Sequence, residues 1–131
     1  MKTIQIGSMT TQGGRAGSVE SPDDGFKVKF GKHGSAPTPE HLFAGAYAAC
    51  FHSSLEAVAE RAHKQIPGLA VTADCRLRNS NGDGSRLAIE IRAAMPGLKR
   101  NEAEHLLHLA HDACPYSRAL RGDSQVTLSL D

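Results

Sequence analysis

The sequence predicts an α+β domain, with an antiparallel sheet and helices set apart from the strands. Three observations carry that expectation. Apolar and polar residues alternate with period two around 26–30, 71–77, 87–91 and 126–130, the pattern of half-buried strands. One long stretch, from about Pro39 to about Lys64, lacks that alternation, and its first half, LFAGAYAACF, is apolar on every side, as in a buried helix. Asn81-Gly82 and Asp83-Gly84 separate two of the alternating runs and mark a hairpin. At 131 residues, residues 1–131 form one domain.

In chain order, residues 7–18 (GSMTTQGGRAGS) are polar and glycine-rich and read as a loop or hairpin. Phe26, Val28 and Phe30 alternate with Lys27 and Lys29 as a strand. Thr38-Pro39-Glu40 starts the long helix, with a capping hydroxyl, a proline at the first helical position and an acid where the helix dipole favours one. Its second half (Glu56, Glu60, Arg61, Lys64) turns amphipathic before Pro67-Gly68. Val71, Ala73, Cys75 and Leu77 form the inward face of a strand, and Leu87, Ile89 and Ile91 that of its return. Asn101 with Glu104 suggests a capping box opening a helix that runs to about Ala113. Pro115 ends that helix, and Val126, Leu128 and Leu130 make a last strand.

Lys plus Arg is 15 and Asp plus Glu is 14, a net charge of +1. Nucleic-acid binding is not expected without a basic excess. The longest apolar run, Leu42–Phe51, is too short to cross a bilayer, and Met1–Thr11 contains no signal-peptide core. The expected location is cytoplasmic, with no membrane partner. Three cysteines, Cys50, Cys75 and Cys114, in such a chain do not read as a disulfide framework.

Each cysteine has an ordinary reading. Cys50 reads equally well as a small core residue or as a chemical thiol. Cys114 is a helix-end thiol, and Cys75 reads as core. His105, His108, His111 and Cys114 recur every third residue, but each step drifts ~60° around a helix. At most His111 and Cys114 could share an ion, so no metal site is expected.

The local strings say more. TPEHLFAGAYAACF (Thr38–Phe51) resembles the reactive-cysteine signature of the organic hydroperoxide resistance proteins. HDACPYSRALRG (His111–Gly122) resembles that family's second-cysteine signature, and Gly13-Gly14-Arg15 its N-terminal glycine-glycine-arginine. The matches fall in family order, with the two cysteines 64 positions apart. Tyr-Ala-Ala-Cys-Phe and Cys-Pro-Tyr-Ser favour this branch over the osmotically inducible protein C branch of the same superfamily. Departures are a shortened GKHGSAPTPE stretch, Thr38 where asparagine is common, and Asp112-Ala113 before the second cysteine.

The resemblance implies an intertwined homodimer of the OsmC-like fold and a thiol peroxidase that reduces organic hydroperoxides to alcohols. It implies no bound cofactor or metal, and a dithiol reductant such as dihydrolipoamide or a lipoylated protein. Cys50 would be the peroxidatic thiol, Cys114 the resolving one, and Arg15 with Glu40 the polar pair serving Cys50. Leu42, Phe43, Tyr47 and Phe51 would favour alkyl peroxides, or are simply core.

The physics fits those roles. A thiolate, not a thiol, attacks peroxide, and burial raises a thiol's pKa. Arg15 can offset that, held by Glu40. On one helix, however, Glu40 and Cys50 would stand ~15 Å apart along the axis. Either the helix starts after Glu40, or two subunits share the site. Alternatives to turnover in this branch are a peroxidase of the sister branch, a thiol sensor or binding protein without turnover, and a zinc protein.

Overall fold

The computed structural model describes Met1–Asp131 apart from residues 24, 33, 35, 36, 81 and 83 and the side chain of residue 80. The chain divides into two compact units, Met1–Leu42 and Phe43–Asp131.

In the first unit, β1 (Thr10–Gln12), β2 (Ser18–Glu20) and β3 (Lys27–Lys29) form an antiparallel sheet in that order. Val19 of β2 stands opposite Thr11 on one side and Val28 on the other. The glycine-rich stretch is therefore a hairpin. Its reversal uses left-handed backbone at Gly13 and Gly14, with φ of 81° and 58°, followed by a 3-10 turn over Gly14–Ala16. A Cβ on Gly17 would lie 1.8 Å from the Gln12 carbonyl oxygen, so the strand ends can meet only over a glycine. Arg15 sits on the tip of that turn. β3 is shorter than its alternation suggests. Phe30 is buried, whereas Phe26 precedes the paired residues and is 53% exposed.

The long helix α1 (Pro39–Arg61) opens in this unit. The Thr38 backbone N–H donates to His41 Nδ1 at 3.0 Å, and the Thr38 hydroxyl lies 2.9 Å from the same nitrogen. This is one half of a capping box, with histidine in the place usual for glutamate. Pro39 and Glu40 are helical, so a helix starting after Glu40 is excluded.

In the second unit, α1 buries Tyr47, Phe51, Leu55, Val58 and Ala59, a stripe at helical spacing. They share one core with Ile89, Ile91, Ala93, Leu106, Leu107 and Ala110. Phe51 and Leu55 are wholly buried, each stabilising the fold by about 1.5–3 kcal/mol. The opposite face, with Gly45, Ala46, Ala49 and Ser53, is exposed. Burial on every side, expected from the apolar run, is thus not found within one chain. The small residues on that face hold little apolar surface to bury. The helix ends with His63 N–H on the Glu60 carbonyl and Lys64 N–H on the Ala59 carbonyl. That is a Schellman motif, with His63 at φ 55° where glycine is usual.

β4 (Ala70–Ser80) and β5 (Gly84–Ala94) pair antiparallel, Cys75 opposite Ile89. Asn81 and Asp83 of the expected turn lie outside the described residues. Leu77, expected inward, is 48% exposed, because the hairpin outruns the core towards its tip. The sheet β4-β5-β6 is also not wholly antiparallel. β6 (Gln125–Leu130) pairs with β5 in parallel, Ile91 opposite Leu128. The chain between them crosses back through α2 (Arg100–Ala113) and α3 (Pro115–Leu120), as a parallel pair requires. α3 has no counterpart in the sequence reading. Pro115 stops α2 and at once supplies the first position of a new helix. α2 is capped at Lys99, not Asn101. The reaching acid is Glu102, which accepts from the Lys99 backbone N–H and from Lys64, while Glu104 pairs with Arg100 at 3.0 Å. No helix among the described residues is long and apolar enough to cross a membrane.

Candidate active site

Cys50 projects from α1, and Cys114 occupies the joint between α2 and α3. The fold brings their sulfurs to 3.7 Å, within reach of a hydrogen bond between the two thiols. Cys114 is fully buried, and Cys50 is half-buried. The Tyr116 backbone N–H, in the first turn of α3, donates to the Cys50 sulfur. Burial pushes the Cys50 thiol up, the hydrogen bond and charge of Cys114 push it further, and the Tyr116 N–H acts the other way. Cys75 packs on the edge of the core from β4.

Aromatic rings cluster on Tyr47, one helical turn before Cys50. Tyr47 meets Phe43 edge-on at 6.5 Å between centroids, Phe51 at 6.4 Å and Tyr116 at 6.2 Å. Of the four apolar residues expected to line a pocket, Tyr47 and Phe51 are wholly interior. Phe43 is half-buried and Tyr116, which sequence reasoning did not single out, is exposed. Leu42 is half-buried in the first unit.

A polar chain joins residues one helical turn from each cysteine. The Tyr47 and Ser117 hydroxyls are 2.5 Å apart, and Ser117 Oγ lies 2.9 Å from His111 Nδ1. Ser117 is completely buried. Burial raises the Tyr47 phenol and lowers the His111 imidazole. His111, which the spacing offers at most as half of an ion-binding pair with Cys114, has its ring engaged by Ser117. Among the described residues, no group of three or more metal-ligating side chains converges. The available signal for this chain was spacing: His111 and Ser117 stand three residues before and after Cys114, and Tyr47 three before Cys50.

The first unit holds the other expected pair. Arg15 Nη2 contacts both carboxylate oxygens of Glu40, one of them at 2.5 Å. The guanidinium is 59% exposed and the carboxylate 17%. Glu40 is thus the anchored partner, in the first turn of α1 where backbone N–H groups favour an anion.

A thiol pair on a helix and a helix joint, backed by a mixed sheet, is the arrangement of a known class. The family model described as OsmC-like protein matches residues 32–129. An organic hydroperoxide resistance protein of Xanthomonas axonopodis pv. citri is 35% identical, over 98% of this chain and 96% of that protein. The crystal structure of an organic hydroperoxide resistance protein from Legionella pneumophila superposes with a TM-score of 0.90 at 36% identity, over 99% of each chain. That of OhrB from Bacillus subtilis also reaches 0.90, at 31% identity over 97% of this chain and 98% of its own. The chain belongs to the organic hydroperoxide resistance proteins of the OsmC-like family.

Proposed function

We propose that this chain is a cysteine-based peroxidase that reduces organic hydroperoxides to alcohols. The observation that carries the reading is the sulfur pair at 3.7 Å, one thiol reachable and the other buried behind it. The relatives, named for organic hydroperoxide resistance, support a role in peroxide detoxification.

In the proposed cycle, the Cys50 thiolate attacks the outer peroxide oxygen. The O–O bond breaks, the alkoxide takes a proton to become the alcohol, and Cys50 is left as a sulfenic acid. Cys114 displaces water from it to form a disulfide. A dithiol such as dihydrolipoamide or a lipoylated protein then restores both thiols by exchange. No bound cofactor or metal is needed. Since burial favours the neutral thiol of Cys50, a cation is required, and Arg15 held by Glu40 fits that need. An arginine also suits the charge that develops on the leaving oxygen.

The active assembly is a homodimer in which two subunits complete each site. Two observations support this: α1 is unbroken from Pro39 through Cys50, and its face at Gly45, Ala46 and Ala49 is open. Full activity in a monomeric preparation would overturn the shared site.

The deciding experiment measures consumption of an alkyl hydroperoxide and of hydrogen peroxide by prereduced protein with dihydrolipoamide. Rapid turnover of the alkyl peroxide, abolished in Cys50→Ser and stopping after one turnover in Cys114→Ser, is expected. A second reading, a thiol sensor without turnover, is favoured by the raised Cys50 thiol alone. No consumption of either peroxide by the wild-type protein would replace the first reading with it.

A further inference from the structure

We propose that Tyr47, Ser117 and His111 form a positioning relay that holds Cys114 against Cys50 and sets the rate at which their disulfide closes. The proposal rests on the reading that Cys114 resolves a Cys50 sulfenic acid.

The relay joins all three helices that carry or flank the thiols. Tyr47 is one helical turn before Cys50 on α1, His111 one turn before Cys114 on α2, and Ser117 one turn after it on α3. Ser117 is the single buried polar residue among those described, and it touches both others, at 2.5 and 2.9 Å. A buried hydroxyl between two partners is held by both, and removing it strands each of them.

The direction of the hydrogen bonds follows from the chemistry. Tyr47 stays a phenol, because burial raises it and the nearby thiols raise it further, against opposing effects of Ser117 and Arg121. In the neutral tautomer with Nδ1 unprotonated, Tyr47 donates to Ser117, which donates to His111 Nδ1. His111 stays neutral chiefly through burial, with Arg121 and His108 acting the same way and Asp112 opposing. Arg121 also binds the His111 carbonyl at 3.4 Å and the Asp112 carboxylate at 3.2 Å. Protonating His111 turns its Nδ1 into a donor and reverses the chain.

In the resolving step the Cys114 sulfur releases its proton and attacks the Cys50 sulfur of the sulfenic acid. The S–S bond forms, the S–O bond breaks, and hydroxide leaves with that proton as water. The two electrons have already passed from Cys50 to the hydroperoxide. The sulfurs must close from 3.7 Å to about 2.05 Å, so small changes in the anchoring of the α2–α3 joint act directly on this step. Attack on peroxide needs no such approach.

The test is single-turnover oxidation of prereduced protein by one equivalent of tert-butyl hydroperoxide. Peroxide loss reads the attack, and loss of the two thiols reads closure. In Ser117→Ala, closure is expected to slow at least about tenfold while peroxide loss stays within about threefold. His111→Asn keeps an amide near the Nδ1 position without its titration. Wild-type closure is expected to slow severalfold more than that of His111→Asn from about pH 7.5 to about pH 5.5 as imidazolium forms. Equal closure in Ser117→Ala and wild type, or matching pH profiles in wild type and His111→Asn, would overturn the proposal. If Ser117→Ala does not fold, the His111 comparison decides, since that residue lies at the relay's partly exposed end. A parallel arm closes the same disulfide with diamide. A wild type that ignores peroxide, yet shows the Ser117→Ala deficit with diamide, defeats the peroxidase reading and supports the relay.

Discussion

Replacing Gly17 by alanine tests whether the turn carrying Arg15 matters to the chemistry. The new Cβ would lie 1.8 Å from the Gln12 carbonyl oxygen and 2.8 Å from both the Gln12 carbonyl carbon and the Gly13 Cα. All three are backbone atoms, so no side chain can swing aside. The strand ends must part by about 1.2 Å before the nearest contact reaches the 3.0 Å that real Cβ atoms respect. Arg15 lies between those ends, and a misplacement of ~1 Å at a positioned group costs up to about 10²-fold in rate. The kcat/KM for an alkyl hydroperoxide is therefore expected to fall about 10- to 100-fold, a loss of ~1.4–2.7 kcal/mol at the transition state. The core around Phe51, Ile91 and Leu106 contains no residue of the turn, so the far-UV circular dichroism should be retained. Gly14→Asn is the control: its φ is +58°, a Cβ there meets nothing within 4 Å, and asparagine tolerates the left-handed region. Activity within about threefold of wild type in Gly17→Ala, or equal impairment in both variants, would refute the reasoning.

Other outcomes follow from single residues. His63→Gly relieves a left-handed histidine at the end of α1; a gain of about 1 kcal/mol, read as a rise of a few degrees in Tm, is expected, and a fall would refute it. Cys114→Ala removes the hydrogen bond and charge that help burial raise Cys50. The Cys50 thiolate absorbance should then titrate at lower pH than in wild type, and a shift to higher pH would contradict the assignment. Glu102 is held below its ordinary value, chiefly by the Lys64 hydrogen bond. A lowered carboxylate contributes stability above its unfolded-state pKa and loses it as pH falls through the folded one. Glu102→Gln should therefore flatten that part of the acid unfolding curve, and an unchanged curve would exclude the contribution.

Much of the architecture was legible because it is periodic. The alternation at 71–77 and 87–91 and the Thr38-Pro39 start of α1 specify local geometry, and the strands and helix lie close to those bounds. What was not legible depends on partners distant in sequence. Nothing in Val126–Leu130 says that β6 pairs with β5, and its alternation, usual for antiparallel strands, points away from the parallel pairing it makes. The cap of α2 lies at Lys99 rather than Asn101, with Glu102 reaching back to it and also pairing with Lys64, a partner far away in sequence. At the candidate site the cysteines and the Arg15–Glu40 pair stood out through their strings. Ser117 did not, because a serine reads as surface until a tyrosine 70 positions earlier is found against it.

The parallel pairing of β5 with β6 also orders events in time. The β4–β5 hairpin closes through a short turn and can form within about microseconds. β6 must instead wait for the 30-residue passage through α2 and α3 that separates it from β5, and such non-local pairing is slow. Cys114 lies inside that passage, whereas Cys50 belongs to a helix completed much earlier in synthesis. During synthesis the two sulfurs therefore stay apart at least until α2 and α3 have been made. A chain halted before residue 125 keeps both cysteines but lacks β6, against which α2 and α3 pack, so the joint that carries the second thiol is held less firmly.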